Sequence, residues 1–178
     1  MINKRVITRA AKKLDLRDIS LHSSSFTRND EADPALYPHS IEKVTKIQVR
    51  SDELSFKDIN DKEILIFRVF VNFDLIGFVT EESSVKNLFS INTVYRIDYA
   101  MAKVLTAEEM REFSLFNTVH NAWPFWRQHI HYIATNANLP RITIPLFRNT
   151  GANKPDKKSR RQAVTGKKAI KRLGVGDK

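Results

Sequence analysis

The stretch ILIFRVFVNFDLIGFV, residues 64–79, decides the fold class of this chain. Arg68, Asn72 and Asp74 fall on one set of alternating positions, whereas the other set is apolar throughout. The apolar set comprises Leu65, Phe67, Val69, Val71, Phe73, Leu75 and Val79. Because successive side chains of a strand point to opposite faces of its sheet, the pattern predicts a central strand with one buried face.

Three further β patterns surround this strand. NTVYRIDYAMAKV (residues 92–104) repeats the alternation, and IEKVTKIQV (41–49) and DLRDISLHSSSF (15–26) are weaker and more polar. No helical pattern lies between them, so we expect a mainly antiparallel four-stranded sheet, one face of which is covered by the segment after the strands. The predicted fold class is therefore α+β.

A helix should come after the strands and pack on the sheet. Thr106 and Glu109 have the spacing of a capping box, which predicts the helix start. Beyond it, apolar residues recur every three or four positions, namely Phe113, Phe116, Val119, Trp123, Trp126, Ile130 and Ile133. Pro124 interrupts this stripe, and we expect a kink or restart near Asn121, which can serve as a new cap.

The helix should end at Asn138 and Pro140. The next segment, PRITIPLF, predicts an extended apolar strip, because its two prolines argue against a central strand. We thus expect one domain over residues 1–148, with its core from about residue 14, and a separate segment over 149–178.

Charge is concentrated in this last segment. The chain has 178 residues and a net charge of +10, and residues 149–178 carry ten of its 30 Lys and Arg residues against two aspartates. With few large apolar residues, the segment is predicted to be a disordered basic tail. It either contacts nucleic acid, the ribosome or an acidic partner, or only aids solubility. The residues assigned to such contacts are Lys157, Lys158, Arg160, Arg161, Lys167, Lys168, Lys171 and Arg172.

Composition excludes several classes of protein. There is no cysteine, so neither disulfides nor thiolate metal sites can form. No signal peptide or membrane span is recognisable, and we expect a cytoplasmic protein. His129 and His131 are two positions apart, which on a helix turns them to nearly opposite faces, so no metal site is expected. Without a catalytic motif, the sequence predicts neither an enzyme nor a cofactor.

The order of these elements carries a resemblance. Four antiparallel β runs precede a helix with the motif WPFWR (Trp123 to Arg127), then NLP and the apolar ITIPLF. Over roughly residues 14–148 the chain resembles the SecB family of export chaperones and its SecB-like relatives. The resemblance implies a homotetramer, built as a dimer of dimers, that holds unfolded polypeptides in long apolar grooves without ATP. SecB proper is acidic and passes clients to the motor SecA, which is not expected of this basic chain; antitoxins, which some SecB-like proteins serve, are alternative clients.

The surplus of large aromatic residues suggests which positions bind. The oligomer interface is assigned to Trp123, Trp126 and Ile130, with ordinary core as the alternative for all three and the favoured one for Trp126 and Ile130. Loop 29–40 suits a crossover loop over a groove, or else a solvated connection. The client-binding residues are predicted to be Leu36, Tyr37, Phe125, Ile142, Ile144, Leu146 and Phe147. For the last four, which form the strip, the alternative is an edge packed on the sheet. The alternative function, from another class, is non-specific nucleic-acid binding through the basic tail.

Overall fold

A computed structural model describes residues 3–37, 39–81 and 84–147. The helices and strands are α1 (Lys4–Ala11), β1 (Leu14–Arg28), β2 (Glu42–Lys57), β3 (Glu63–Glu81), β4 (Ser84–Met101), α2 (Ala107–Phe113) and α3 (Val119–Asn136). A short 3-10 turn (Pro34–Leu36) lies between β1 and β2, and a π-helical turn (Ser114–Thr118) joins α2 to α3. The predicted tail, residues 149–178, lies outside the described residues.

The four strands form one antiparallel sheet in the order β1-β4-β3-β2. The predicted α+β class, with a helix joined after a four-stranded antiparallel sheet, is confirmed. The strands are longer than the sequence pattern indicated, since β2 continues to Lys57. Residues 50–57 lie at an exposed edge, where alternation of apolar and polar residues is not needed.

The core lies between the sheet and α3. Alternate residues of β3 are buried from Phe67 to Leu75, as the opening stretch predicted. Trp126 of α3 is stacked on Phe73, with 4.7 Å between ring centroids and 13° between ring planes. The residues of α3 buried in this core are Val119, Ala122, Trp126, Ile130 and Ala134. Their spacing of three or four positions places them on one face of the helix.

Gly77 is required where β3 passes beneath an aromatic ring. A Cβ atom at this position would lie 2.3 Å from ring atoms of Phe89, well inside van der Waals contact. The pairing of β3 with β4 is irregular between Gly77 and Phe78. The glycine therefore makes room for Phe89, which is itself buried.

The helix start agrees with the sequence, but the effect of Pro124 differs. Thr106 and Glu109 form the expected capping box, with both reciprocal hydrogen bonds present. However, α3 continues through Pro124, and Asn121 does not cap it, since its Nδ2 donates to the Tyr99 hydroxyl at 3.0 Å. The departure from α geometry lies upstream, in the π-helical turn. The packed face of α3 keeps the helix continuous although the proline removes one backbone hydrogen bond.

The N-terminal helix α1 was not predicted. Asn3 caps it through a side-chain contact with the Val6 amide, and Val6, Ile7 and Ala10 are buried. A helix of eight residues with three buried apolar side chains gives only a weak periodic signal in the sequence. Packing against the rest of the domain, rather than the local sequence, stabilises it. No helix in the described part of the chain is both long and apolar enough to cross a membrane.

Candidate functional site

The edge strand β1 leaves an apolar row exposed on the side of the sheet that carries the helices. Leu16, Leu21 and Phe26 lie opposite buried residues of β4, for example Leu21 opposite Tyr95, and so share their face. They are nevertheless exposed. Pairing is irregular after Leu16 and again after Leu21, which keeps these residues on one face although their spacing does not strictly alternate.

Two residues of α3 extend this row. The Ser24 hydroxyl and His129 Nε2 are 2.8 Å apart, which joins β1 to α3. Phe125 and Tyr132 are four positions before and three after His129, so they lie on the same side of the helix. Both are exposed. We call this set the β1 surface: Leu16, Leu21 and Phe26 of β1 with Phe125 and Tyr132 of α3.

The residues assigned to an oligomer interface do not lie together on the surface. Trp126 and Ile130 are fully buried between α3 and the sheet, so they have no exposed area to offer a second subunit. Their burial agrees with the alternative of ordinary core. Trp123 is half-buried, and its Nε1 donates to the Pro145 carbonyl at 3.0 Å. Of the predicted client-binding residues, Phe125 is instead on the β1 surface.

Residues 139–147 form the expected extended strip, which runs back along α3. Arg127 Nε donates to the Ile144 carbonyl at 3.0 Å, and Trp123 holds Pro145. Ile142 and Ile144 are only 9% and 8% exposed, because they pack into the core, whereas Leu146 is 66% exposed. Of these three predicted residues of the strip, only Leu146 is therefore largely exposed.

Phe147 ends the strip in an aromatic cluster, which we define as Phe116, His120, Trp123 and Phe147. The ring centroid of Phe147 lies 5.1 Å from Trp123, 6.0 Å from His120 and 6.3 Å from Phe116. Trp123 also contacts Phe73 of the core, edge to face at 5.8 Å. The cluster joins the interior to the outer side of α3, and three of its members are partly buried against the core.

The connection from β1 to β2 crosses the end of the sheet, because these strands are its two edges. Its short turn is capped by Asp33, which accepts from the Ala35 amide. Leu36 in this turn is 74% exposed. Tyr37 instead packs against the core, and its hydroxyl donates to Glu81 at 2.9 Å, which raises the pKa of Tyr37. Of the two predicted loop residues, only Leu36 is free to act as an apolar anchor.

A buried carboxylate ties α1 to α2, a feature that the sequence did not reveal. Glu109 is buried rather than exposed at the helix start, and its oxygens accept from Lys13 Nζ at 2.8 Å and Arg9 Nε at 2.6 Å. The hydrogen bonds from Lys13 and the Thr106 amide lower the pKa of Glu109 to about 2. The capping box indicated the residue, but its cations come from a helix that was not predicted.

Ser24 and His129 are the one serine–histidine pair that the hydrogen bonds of the described residues contain, and 105 positions separate them in sequence. Burial lowers the pKa of His129, which favours the neutral ring. Within the described residues, no carboxylate is hydrogen-bonded to this histidine, whereas a serine–histidine–acid triad requires one. The same residues contain no group of three side chains suited to a metal ion.

Comparison with known proteins supports the fold. No family model matches the chain, and no curated protein matches its sequence. A solved structure of a SecB-like chaperone from Mycobacterium tuberculosis, in complex with a ChAD peptide from the HigA1 antitoxin, is similar with a TM-score of 0.57 and 16% identity. The similarity covers 82% of this chain and 98% of that one. A protein of unknown function from Streptococcus agalactiae aligns over 75% and 97% at 9% identity, with a TM-score of 0.35 that carries no weight. The chain thus has a SecB-like fold.

Proposed function

We propose that this protein is an ATP-independent holdase, which binds unfolded polypeptide segments on exposed apolar surface. The observation that carries the proposal is the exposure of Leu36 and Leu146, large apolar side chains that lie outside the β1 surface. Exposed apolar area of this kind marks interaction sites in soluble proteins. The similar M. tuberculosis fold, solved with an antitoxin peptide, makes a polypeptide the favoured class of ligand.

Self-association would use the β1 surface. Leu16, Leu21 and Phe26 form a row along an edge strand, and an edge strand also offers unpaired backbone groups to a second copy. We therefore propose an oligomer in which this surface is buried, and a homotetramer as its final state. Trp126 and Ile130 support this surface from beneath, since they hold α3 on the sheet.

Client binding would use apolar residues outside the β1 surface. Leu36 and Leu146 present exposed apolar side chains, and the aromatic cluster adds the partly exposed rings of Phe116, Trp123 and Phe147. Ile142 and Ile144 serve this region by fixing the strip rather than by touching the client. Burial of one such leucine contributes about 1.5–3 kcal/mol, so several anchors suffice for a useful affinity. Antitoxins and pre-export polypeptides are both candidate clients, in a cytoplasmic setting and without catalysis or a cofactor.

The proposal is tested by light scattering of a denatured protein diluted with and without this chain, in the absence of nucleotide. We expect stoichiometric amounts to suppress aggregation. L36A and L146A should weaken suppression without changing the thermal melt, and E108Q, an exposed change at the start of α2, serves as a matched control. An unchanged aggregation curve with the wild-type protein would contradict the holdase. A solution mass equal to the monomer would contradict the oligomer.

Nucleic-acid binding through residues 149–178 stays the second candidate, on the strength of the ten basic residues alone. Such binding should weaken steeply with salt, by about 0.9 in log K per phosphate contact for each unit of log salt. Parallel salt titrations with duplex DNA and with an unfolded polypeptide separate the two functions, because apolar anchoring is far less sensitive to salt.

A further inference from the structure

A cleft lined mainly by hydrogen-bond donors lies between α3 and the extended strip. Its cavity volume is about 370 Å³. Arg127, Gln128 and His131 contribute from the helix, and Arg141 and Thr143 from the strip. Pro124, Ile142 and Ile144 complete the lining, although the side chains of the two isoleucines pack into the core. Among the residues that the structure describes, no aspartate or glutamate lines this cleft.

A hydrogen bond to the strip fixes Arg127 in the lining of the cleft. Its Nε donates to the Ile144 carbonyl at 3.0 Å, and the residue is half-buried. This bond uses one edge of the guanidinium and leaves the two terminal nitrogens without a protein acceptor among the described residues. In that same part of the chain, neither Arg127 nor Arg141 forms an ion pair.

The chemistry of these groups selects an oxyanion. A guanidinium fixed through one nitrogen presents its remaining donors in a planar fork, which matches the two oxygens of a carboxylate. Arg141 adds a second positive charge, and the Thr143 hydroxyl and the Gln128 amide can donate further hydrogen bonds. Pro124 beside these donors, and the exposed Leu146 on the same strip, suit a ligand that carries apolar groups next to its acidic group.

We propose that this cleft binds the carboxylate of an aspartate or glutamate side chain in a client polypeptide. The inference rests on the proposed holdase function. It adds that the protein prefers client segments in which an acidic residue is flanked by apolar ones. The exposed Leu146 lies on the same strip and would contact the apolar part of such a segment.

The test compares two peptides of equal length by isothermal titration calorimetry with the full chain. Both are apolar, capped at the two ends, and differ only in a central Glu or Gln, so the glutamate carries the one carboxylate. We expect the wild-type protein to bind the Glu peptide about tenfold more tightly, as a charge-assisted bidentate pair allows. The preference should fall below about twofold in R141Q and in R127K, the latter keeping charge but losing the fork.

R17Q serves as the control, since Arg17 is an exposed arginine of β1 away from this cleft. It should retain the full preference, and thermal melts should show R141Q folded. Equal binding of both peptides by the wild-type protein would overturn the carboxylate site while the holdase function stands. Binding of neither peptide would overturn the holdase function and this inference with it.

Two further outcomes also count against the site. A Glu preference that persists in both R141Q and R127K would place the responsible cations elsewhere in the chain. Inorganic phosphate at matched ionic strength is the other probe. Phosphate that binds more tightly than the Glu peptide, and loses that binding in R141Q, would overturn the assignment in favour of a phosphate ligand.

Discussion

Replacing Glu109 with Gln should destabilise the fold by loosening α1, whose Arg9 contacts this carboxylate. The carboxylate has a pKa of about 2 against an ordinary value of 4.5, a difference that corresponds to about 3 kcal/mol. Arg9 and Lys13 have side chains 57% and 22% exposed, and solvent screening reduces the expected loss to about 2 kcal/mol. For a domain of this size we expect a decrease of about 6–8 °C in melting temperature.

The pH dependence has a definite sign. Because folding lowers the pKa of Glu109, its contribution is fully present above pH 4.5 and is lost as pH falls toward 2. Urea denaturation of the wild-type protein and E109Q should therefore give a gap in unfolding free energy that is constant near neutral pH and closes in acid. E108Q is the matched control, since Glu108 is exposed in the same helical turn. Two results would refute the Glu109 ion pairs as a source of stability. One is an unfolding free energy that falls no further in E109Q than in E108Q. The other is a difference between wild-type protein and E109Q that is the same at pH 7 and at a pH of about 2.5.

Three further predictions concern the core and the loop, the glycine of β3, and the tail. Trp126→Ala should lower the free energy of unfolding by about 3–5 kcal/mol. Leu36→Ala should change it by only about a few tenths of a kcal/mol and weaken client binding by about 1 kcal/mol. Thermal melts and binding titrations on the same preparations check both. Gly77→Val should displace the Phe89 ring and lower stability by about 1–3 kcal/mol in denaturation. Ending the chain at Arg148 should leave the melting temperature and the number of subunits per oligomer unchanged; a fall in either would show that residues 149–178 contribute to packing.

The sheet could be predicted because its central strands obey a simple period. One face of β3 is buried by α3, so its alternation is complete, and the capping box of α2 is equally local. The apolar row on β1 could not be predicted, because its residues do not follow a simple period. Irregular pairing after Leu16 and Leu21 changes which residues share a face, and the sequence alone does not show where a strand bulges.

The candidate site was harder to predict because large aromatic residues serve both core and surface. Trp123 and Trp126 are three positions apart in the same stripe, yet one is half-buried beside Pro145 and the other is stacked on Phe73. In the sequence, Ile144 likewise has the character of an exposed apolar residue of the strip, but in the structure it packs into the core. Burial depends on which side of α3 the strip runs along, and that is a long-range property.

The order of strands in the sheet also dictates how the chain must fold. Its first two strands are the two edges, and β1 cannot pair until β4 has been made, since Leu14 pairs with Met101 and Arg28 with Phe89. The hairpins of β2, β3 and β4 close locally, whereas β1 must close a much longer loop, which is slow. Until β4 is available, β1 has no strand to pair with. During synthesis, β1 therefore cannot enter the sheet until β4 has been made, 56 or more residues after β1 ends.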